Sequence, residues 1–279
     1  MKKDRHASDV GSRHLWFLPG RCTMNAAPEL ASRKSESRLH VELATTIDDI
    51  RASQALRYRV FGEELGATVE GQDSGLDDDE YDPYCQHLLV RDSANGRVIS
   101  STRLLRDQQA EKAGGFYSSN EFEIGPILML PGRRLEIGRT CVDPEYRQGA
   151  AIAVLWSGLA DYIKENHIDM LFGCASIKMS DGGYVAQAIM NRVRQNAMTD
   201  AGCRVTPRRP LPALPVGARE MVSATLPPLL KAYFRIGARA CGDPCYDPTF
   251  NCADILVLVN VREIDGSYTR HFLDRVMKG

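Results

Sequence analysis

The stretch Leu135-Glu-Ile-Gly-Arg-Thr-Cys-Val-Asp-Pro-Glu-Tyr-Arg-Gln-Gly-Ala-Ala151 decides the fold. Its first half, Leu135 to Val142, reads as a strand that stops at Asp143-Pro144. A loop with one arginine and small residues follows. Apolar positions 152, 155, 156, 159 and 163 then mark a helix from Ala150 to Asn166. Such a loop suits an anion, because a helix N-terminus presents unpaired amide N–H groups and the positive end of its dipole. Small residues let the backbone approach the ligand. Spacing alone leaves two readings open: a phosphate or pyrophosphate site, or an ordinary strand–loop–helix connection.

Upstream, Leu39 to Ala44 alternates apolar and polar residues, as a half-buried strand does. Thr45 or Thr46 caps a helix with Asp48 and Asp49 in its first turn. This helix runs through Ile50, Ala55, Leu56, Val60 and Phe61 to Leu65, and Gly66 ends it. Glu70 to Asp82 carries seven acids and no base, which predicts an extended, solvated loop. His87–Arg91 and Arg97–Leu105 form a hairpin across Ser93-Ala-Asn-Gly96. Asp107 to Ser119 reads as a helix and a loop.

Downstream, Met170 to Ile177 is a nearly continuous apolar strand, expected in the middle of a sheet. A helix over Gly183–Asn196, a Pro-rich linker over Pro207–Gly217, a helix over Pro227–Arg239 and a strand over Ala253–Val261 follow. A short helix over Phe272–Val276 closes the chain. This order predicts an α/β (α+β) fold with a mixed sheet in one domain, residues 39–279. Residues 1–38, with eight Lys/Arg and four Asp/Glu, read as a disordered or loosely docked extension. Trp16 and Phe17 would anchor it, to the body rather than to a membrane.

Composition bounds the function. A formal net charge of -1 excludes a globally basic nucleic-acid binder. No apolar run reaches the about eighteen residues of a transmembrane helix, and Leu15 to Pro19 is too short for a signal-peptide core. Eight cysteines form no CxxC, and no His completes a zinc pattern, so no metal is expected. The thiols fit reduced cysteines in a cytoplasmic protein.

Val142-x-Pro144-x-x-Arg147 resembles the phosphate loop V-x-P-x-x-R-x-x-G-x-G/A of the GNAT superfamily of N-acyltransferases. Here Gln148, Gly149, Ala150, Ala151 and Ile152 follow, so the two glycine positions hold Ala150 and Ile152. The full glycine pattern lets several amides wrap the pyrophosphate of coenzyme A. A degenerate loop suits the single phosphodiester of a 4'-phosphopantetheine arm on acyl carrier protein. The succession Leu56-Arg-Tyr-Arg-Val-Phe-Gly-Glu-Glu-Leu-Gly66, the acidic stretch with Asp82, His87-Leu-Leu-Val90 and Ser101-Thr-Arg-Leu-Leu105 resembles acyl-homoserine lactone synthases and, more closely, ornithine N-acyltransferases; Glu136-x-x-Arg139 also matches the lactone synthases. The stretch Tyr233 to Asp254 is more similar to the L-ornithine N(alpha)-acyltransferases of ornithine-lipid synthesis, a family with hemolysin-like relatives. The resemblance covers residues 39 to 262. It implies a mostly antiparallel GNAT-like sheet flanked by helices. It also implies transfer of a (3-hydroxy)acyl group from acyl carrier protein to the α-amine of ornithine, giving lyso-ornithine lipid. No cofactor beyond the donor arm is implied, and a lipid product is compatible with peripheral contact at the inner membrane face.

The reaction needs a base for the ammonium, a donor for the tetrahedral oxyanion and an exit for the thiolate. Glu136 is the candidate base; the alternative is a structural pair with Arg139 or Arg103. The oxyanion donor implied by the resemblance is a backbone N–H around Cys141, between Thr140 and Val142. Arg139 and Arg103, strand arginines flanked by apolar residues, either pair or meet a bound anion. Val142, Arg147, Gln148, Gly149, Ala150 and Ala151 would hold the donor arm. Arg57, Asp82 and Arg103 would hold the acceptor. Arg57 and Arg59 cannot share a helix face, and the resemblance favours Arg57 as the one at the site, with Phe61 at the acyl entrance or in the core. Asp77 to Asp82, or Asp247 and Asp254, would meet a second ammonium. Ser176, Cys174 or Tyr184 would protonate the thiolate. Arg192, Arg194, Arg204, Arg208 and Arg209 form a basic cluster for an acidic carrier protein, for anionic lipid or merely for solubility. The rival readings are a signal synthase of the lactone type, an N-acyltransferase for another amino acid, and a non-catalytic carrier-protein-binding module.

Overall fold

The computed structural model describes residues 38–148, 150–214 and 224–264. β1 (Leu39–Leu43) leads into α1 (Ile47–Arg57), capped as its sequence dictates: the Thr46 hydroxyl accepts from the Asp49 amide, and the Asp49 carboxylate accepts from the Thr46 amide. Beyond Arg57 the helix does not continue as α. Tyr58–Glu64 forms a π-helical turn before Gly66, at φ 74°, ends it. The meander β2 (Gln86–Asp92) and β3 (Val98–Arg106) turns at Gly96 as expected. α2 (Asp107–Lys112), a 3-10 turn over Tyr117–Asn120, β4 (Phe122–Glu123) and α3 (Gly125–Leu128) then cross to β5 (Arg134–Val142). α4 (Ala151–Glu165), β6 (Met170–Lys178), α5 (Tyr184–Asn196), β7 (Thr206–Pro207), α6 (Pro228–Arg235), β8 (Arg239–Ala240), β9 (Cys245–Asp247) and β10 (Cys252–Asn260) complete the order.

The main sheet runs β1-β2-β3-β5-β6-β10-β8, with β9 paired to β10, and β4 and β7 form a small second sheet. In the main sheet β5 and β6 are parallel and every other pairing is antiparallel. The mixed, mostly antiparallel α/β architecture is therefore as the sequence reading had it. Side chains alternate across the sheet. Leu88, Leu135, Leu171 and Val259 meet Leu155 and Leu159 of α4, while Ile177, Ile255 and Val257 meet Ile189 and Met190 of α5. The opposite face packs Leu89 and Cys141 against Leu56 and Val60, and Leu105, Phe172 and Leu256 against Phe116, Phe122 and Ile127. Full burial of each such leucine is worth roughly 1.5–3 kcal/mol over exposure.

Two expectations need correction. Glu70–Asp82 is not a solvated loop: Asp77 is 1% and Asp82 3% exposed, because arginines distant in sequence neutralise them. The helix over Pro227–Arg239 stops at Arg235, and Arg239 begins a strand on β10. Of the Pro-rich segment 207–217, Pro207 pairs with β4 and Pro210 bridges Cys245, so its first part is fixed to the body. Residues 1–37 and the helix over Phe272–Val276 lie outside the described residues.

Gly173 shows how closely β5 and β6 run before they part. A Cβ there would stand 2.2 Å from the Ile137 carbonyl oxygen, which is backbone and cannot swing away. Gly173→Ala should lower unfolding free energy by more than about 2 kcal/mol in denaturant titration.

Candidate active site

The β5–β6 ladder pairs Arg134, Leu135 and Glu136 with Met170, Leu171 and Phe172, and stops there. Both strands continue, so past this point they diverge. On its other side β5 loses register with β3 between Ser101 and Arg103, where Arg139 sits at φ 51°. This bulge bends β5 away from β6. A cavity of about 610 Å³ opens in the gap, lined from both faces of the sheet. One face contributes an apolar wall: Leu155, Trp156 and Leu159 of α4, Leu230 and Tyr233 of α6, and Val257 and Val259. Trp156 and Tyr233 stack with ring centres 5.3 Å apart. The other face contributes Glu121, Glu136, Cys174, Ser176, Asp247 and Asp254.

Behind the cavity lies a buried ion network. Arg57, fully buried, donates to the Asp77 carboxylate (2.8 Å), the Asp77 carbonyl and both Asp82 oxygens (2.8 Å each). Gln54 donates to Asp78 and Asp82. Arg103 pairs with Asp79 and with Asp82 at 3.0 Å. These arginines hold the Asp82 carboxyl far below its ordinary range despite the opposing cost of burial. Arg57 and Asp82, predicted to touch the acceptor, do not line the cavity; they brace the wall from which Arg103 and Arg139 reach it. Arg59 points away and meets Asp143 at 3.6 Å.

Arg139 is held more loosely. Its guanidinium lies 5.0 Å and 5.1 Å from the ring centres of Tyr117 and Phe250, and its ion pairs with Asp77 and Asp79 are 3.3 and 3.4 Å long. Its Nε, the atom 3.3 Å from the Asp77 carboxylate, is buried and makes no well-aligned hydrogen bond among the described residues. Phe61 stands edge-on to Phe250, lining the cavity and packing against the Leu56 and Val60 core as well.

Glu136 pairs with neither arginine. It accepts from the Tyr117 amide (2.7 Å), the Ser118 amide (2.8 Å) and the Ser118 hydroxyl. Burial pushes its carboxyl up, against the pull of these donors. The Ser118 hydroxyl also lies 3.7 Å from the Cys174 thiol, which donates to Glu121 at 3.3 Å. Burial and neighbouring carboxylates push that thiol well up, so it is no ready nucleophile. Tyr184 does not line the cavity; Ser176 does, and donates to Asp254 at 2.5 Å. Glu121 and Ser118, absent from the sequence reading, could have been found only by seeing that the 3-10 turn folds under β5.

Of the expected donor-loop residues, Val142 ends β5, Arg147, Gln148 and Ala150 follow it and Ala151 begins α4; none of these lines the cavity, and Gly149 lies outside the described residues. Arg147 makes a twofold pair with Glu64, 2.6 Å each. Cys141 turns its thiol into the α1 packing, and of the Thr140–Val142 segment only Thr140 lines the cavity. The five arginines of the basic cluster are all engaged: Arg194 with Asp243, Arg208 with Glu123, and Arg192, Arg204 and Arg209 with backbone carbonyls.

Two outcomes follow from this geometry. Arg57→Met leaves Asp77 and Asp82 short of their main cation and should cost about 3–5 kcal/mol in denaturant titration. Glu121 is raised above its ordinary value of 4.5 by burial and by Asp254. The folded protein then retains a proton that the unfolded chain has lost, so Glu121 erodes stability as pH climbs from about 4.5 towards its raised value. Glu121→Gln should match the parent's melting temperature near pH 4.5 and exceed it by a few degrees at pH 8.

A family model described as an acetyltransferase (GNAT) domain matches residues 56–157. A protein of Rhizobium meliloti (strain 1021) named L-ornithine N(alpha)-acyltransferase is 35% identical over 250 residues, 85% of this chain and 84% of its own. One of the same name from Rhodobacter capsulatus is 33% identical over 247 residues, 85% of this chain and 95% of its own. Among solved structures, a CoA-dependent acyl-homoserine lactone synthase with SAM and isopentyl-CoA shares the fold, with TM-score 0.51 at 16% identity over 86% of this chain and 89% of that one. On the strength of these relatives, this chain is an acyltransferase that belongs to the L-ornithine N(alpha)-acyltransferase family.

Proposed function

We propose that the chain transfers a (3-hydroxy)acyl group from the 4'-phosphopantetheine arm of acyl carrier protein to the α-amine of ornithine, giving lyso-ornithine lipid. The observation that carries this is the cavity through the parted strands, apolar on one face of the sheet and carboxylate-lined on the other. An acyl chain fits the wall of α4 and α6, an amino acid fits the opposite side, and the thioester carbonyl lies between them at the gap. The names of the relatives supply the acceptor.

Glu136 accepts a proton from the ammonium form of the α-amine. The freed nitrogen attacks the thioester carbon, and the backbone at Ile137–Thr140, open toward β6, faces the oxyanion. The N–C bond forms as the C–S bond breaks. Of the two protons the ammonium loses, one leaves on the thiol and one passes through Glu136 to solvent. Arg139, held by long ion pairs at the cavity wall, receives the acceptor carboxylate. The N-terminus of α4 and Arg147 serve the phosphodiester, with Arg147 exchanging Glu64 for it. A carrier protein is favoured as donor because Ala150 and Ile152 occupy the glycine positions of a coenzyme-A loop. Among the described residues no helix is long and apolar enough to cross a membrane, so contact with a lipid surface would be peripheral.

Incubation with 3-hydroxyacyl carrier protein or 3-hydroxyacyl coenzyme A, each with ornithine or S-adenosylmethionine, tests this by product mass. The expected product is N-acylornithine, with kcat/KM at least about tenfold higher for the carrier-protein donor. A lactone product, or turnover in no arm, would sink the reading. Glu136→Gln and Arg139→Ala should each lower turnover at least about tenfold while the melting temperature shows a folded protein.

A further inference from the structure

We propose that Glu121, Asp247 and Asp254 form a pocket for the non-reacting side-chain ammonium of the acceptor, so that the enzyme selects diamino acids over their monoamino counterparts. The inference rests on the reading that the cavity acylates the α-amine of an amino acid. It goes further by assigning the residues that choose among amino acids.

The three carboxylates are 4%, 6% and 4% exposed, and all line the cavity. Each buried acid of the neighbouring network has a guanidinium or amide partner: Asp77 and Asp82 have Arg57, and Asp79 has Arg103 and Arg139. By contrast, Glu121, Asp247 and Asp254 form no salt bridge among the described residues. Asp254 receives only the Ser176 hydroxyl at 2.5 Å and the Cys252 thiol at 3.5 Å. Asp247 receives the Thr249 and Phe250 amides, both on Oδ1. Glu121 receives only the Cys174 thiol, on Oε2, and its Oε1 has no donor among the described residues. Glu121 is thus a buried carboxylate with a free oxygen at the cavity wall.

Burying carboxylates together without a cation is unfavourable, and only a proton or an incoming cation relieves it. Burial pushes Glu121 and Asp254 up, Glu121 with the help of Asp254 and Asp254 with that of Asp247, as crowded acids without a cation must be. The placement suits a tethered ammonium. Glu136, the base for the reacting amine, connects through Ser118 and Cys174 to Glu121, so the two amine stations lie two side chains apart along one wall. A bare metal ion is the competing occupant, since Asp247, Cys252 and Asp254 bring their ligand atoms within 4.8 Å of one another.

The test compares ornithine with norvaline, which has the same carbon chain without the side-chain amine. The full-length protein is used with single variants Glu121→Gln, Asp247→Asn and Asp254→Asn, and circular dichroism selects those that fold. The parent should favour ornithine by at least about 100-fold in kcat/KM. The variants should shrink that ratio at least tenfold, mainly through KM for ornithine. A ratio unchanged in the folded variants overturns the pocket, as does loss of activity on both acceptors in equal proportion. Calorimetric binding of ornithine and norvaline to the same proteins reads the pocket without turnover. If no acceptor is acylated yet ornithine binds the parent and not the variants, the acylation reading fails and the pocket stands. If ornithine and norvaline bind alike, or a chelator strips a metal ion and activity together, the pocket falls.

Discussion

Backbone amides and carbonyls inside a sheet need partners, and a parallel ladder that stops midway leaves a row of them facing a gap. In this chain the ladder between β5 and β6 stops after Glu136 and Phe172. Everything at the site depends on that gap. It joins the apolar space under α4 and α6 to the carboxylates on the opposite face. The gap is held open by the bulge at Arg139 on one side. Gly173, where no Cβ is tolerated, marks how close the backbones lie at its closed end.

A gap of this kind would collapse without a rigid wall. The wall comes from Arg57, Arg103 and Arg139, each from a different element, tied to the aspartates of one acidic segment. Removing one partner from a buried ion pair is costly because the other charge stays behind, so the network resists piecemeal loosening. It also sorts the acids of the site into two classes. Those facing the network are neutralised and structural. Those facing the cavity, Glu121, Glu136, Asp247 and Asp254, form no salt bridge among the described residues, and burial pushes Glu121, Glu136 and Asp254 up.

Local chemistry was legible wherever the deciding interaction lies within a few residues. Thr46 and Asp49 announce a helix start because the capping bonds span three residues. Ser93-Ala-Asn-Gly96 announces a turn because Gly96 takes a left-handed conformation. The apolar alternation of β2, β3, β6 and β10 reports sheet burial directly. The inner face of α1 is a case of the reverse: hydrophobic periodicity does not mark Ser53, Gln54 and Arg57 as buried, yet they are, because their partners, Ser101, Asp78, Asp77 and Asp82, come from elsewhere. The acidic segment was read as solvated because like charges repel locally, and the arginines that cancel them lie 20 or more residues away.

By itself, then, the sequence determined the order of the long strands and helices, the mixed sheet, the strand–loop–helix at Leu135–Ala151 and, through resemblance, the acyltransferase family, but not the short strands β4, β7, β8 and β9. It also singled out Glu136, Arg139 and Arg103, all of which line the cavity. Only the tertiary structure decided which charged residues face substrate space and which face each other. That choice moved Arg57, Asp82 and Cys141 from contact roles to support, and brought in Glu121 and Ser118. The reason is physical: a side chain's burial and pairing are set by neighbours across the sheet, and no spacing along the chain encodes where two strands part.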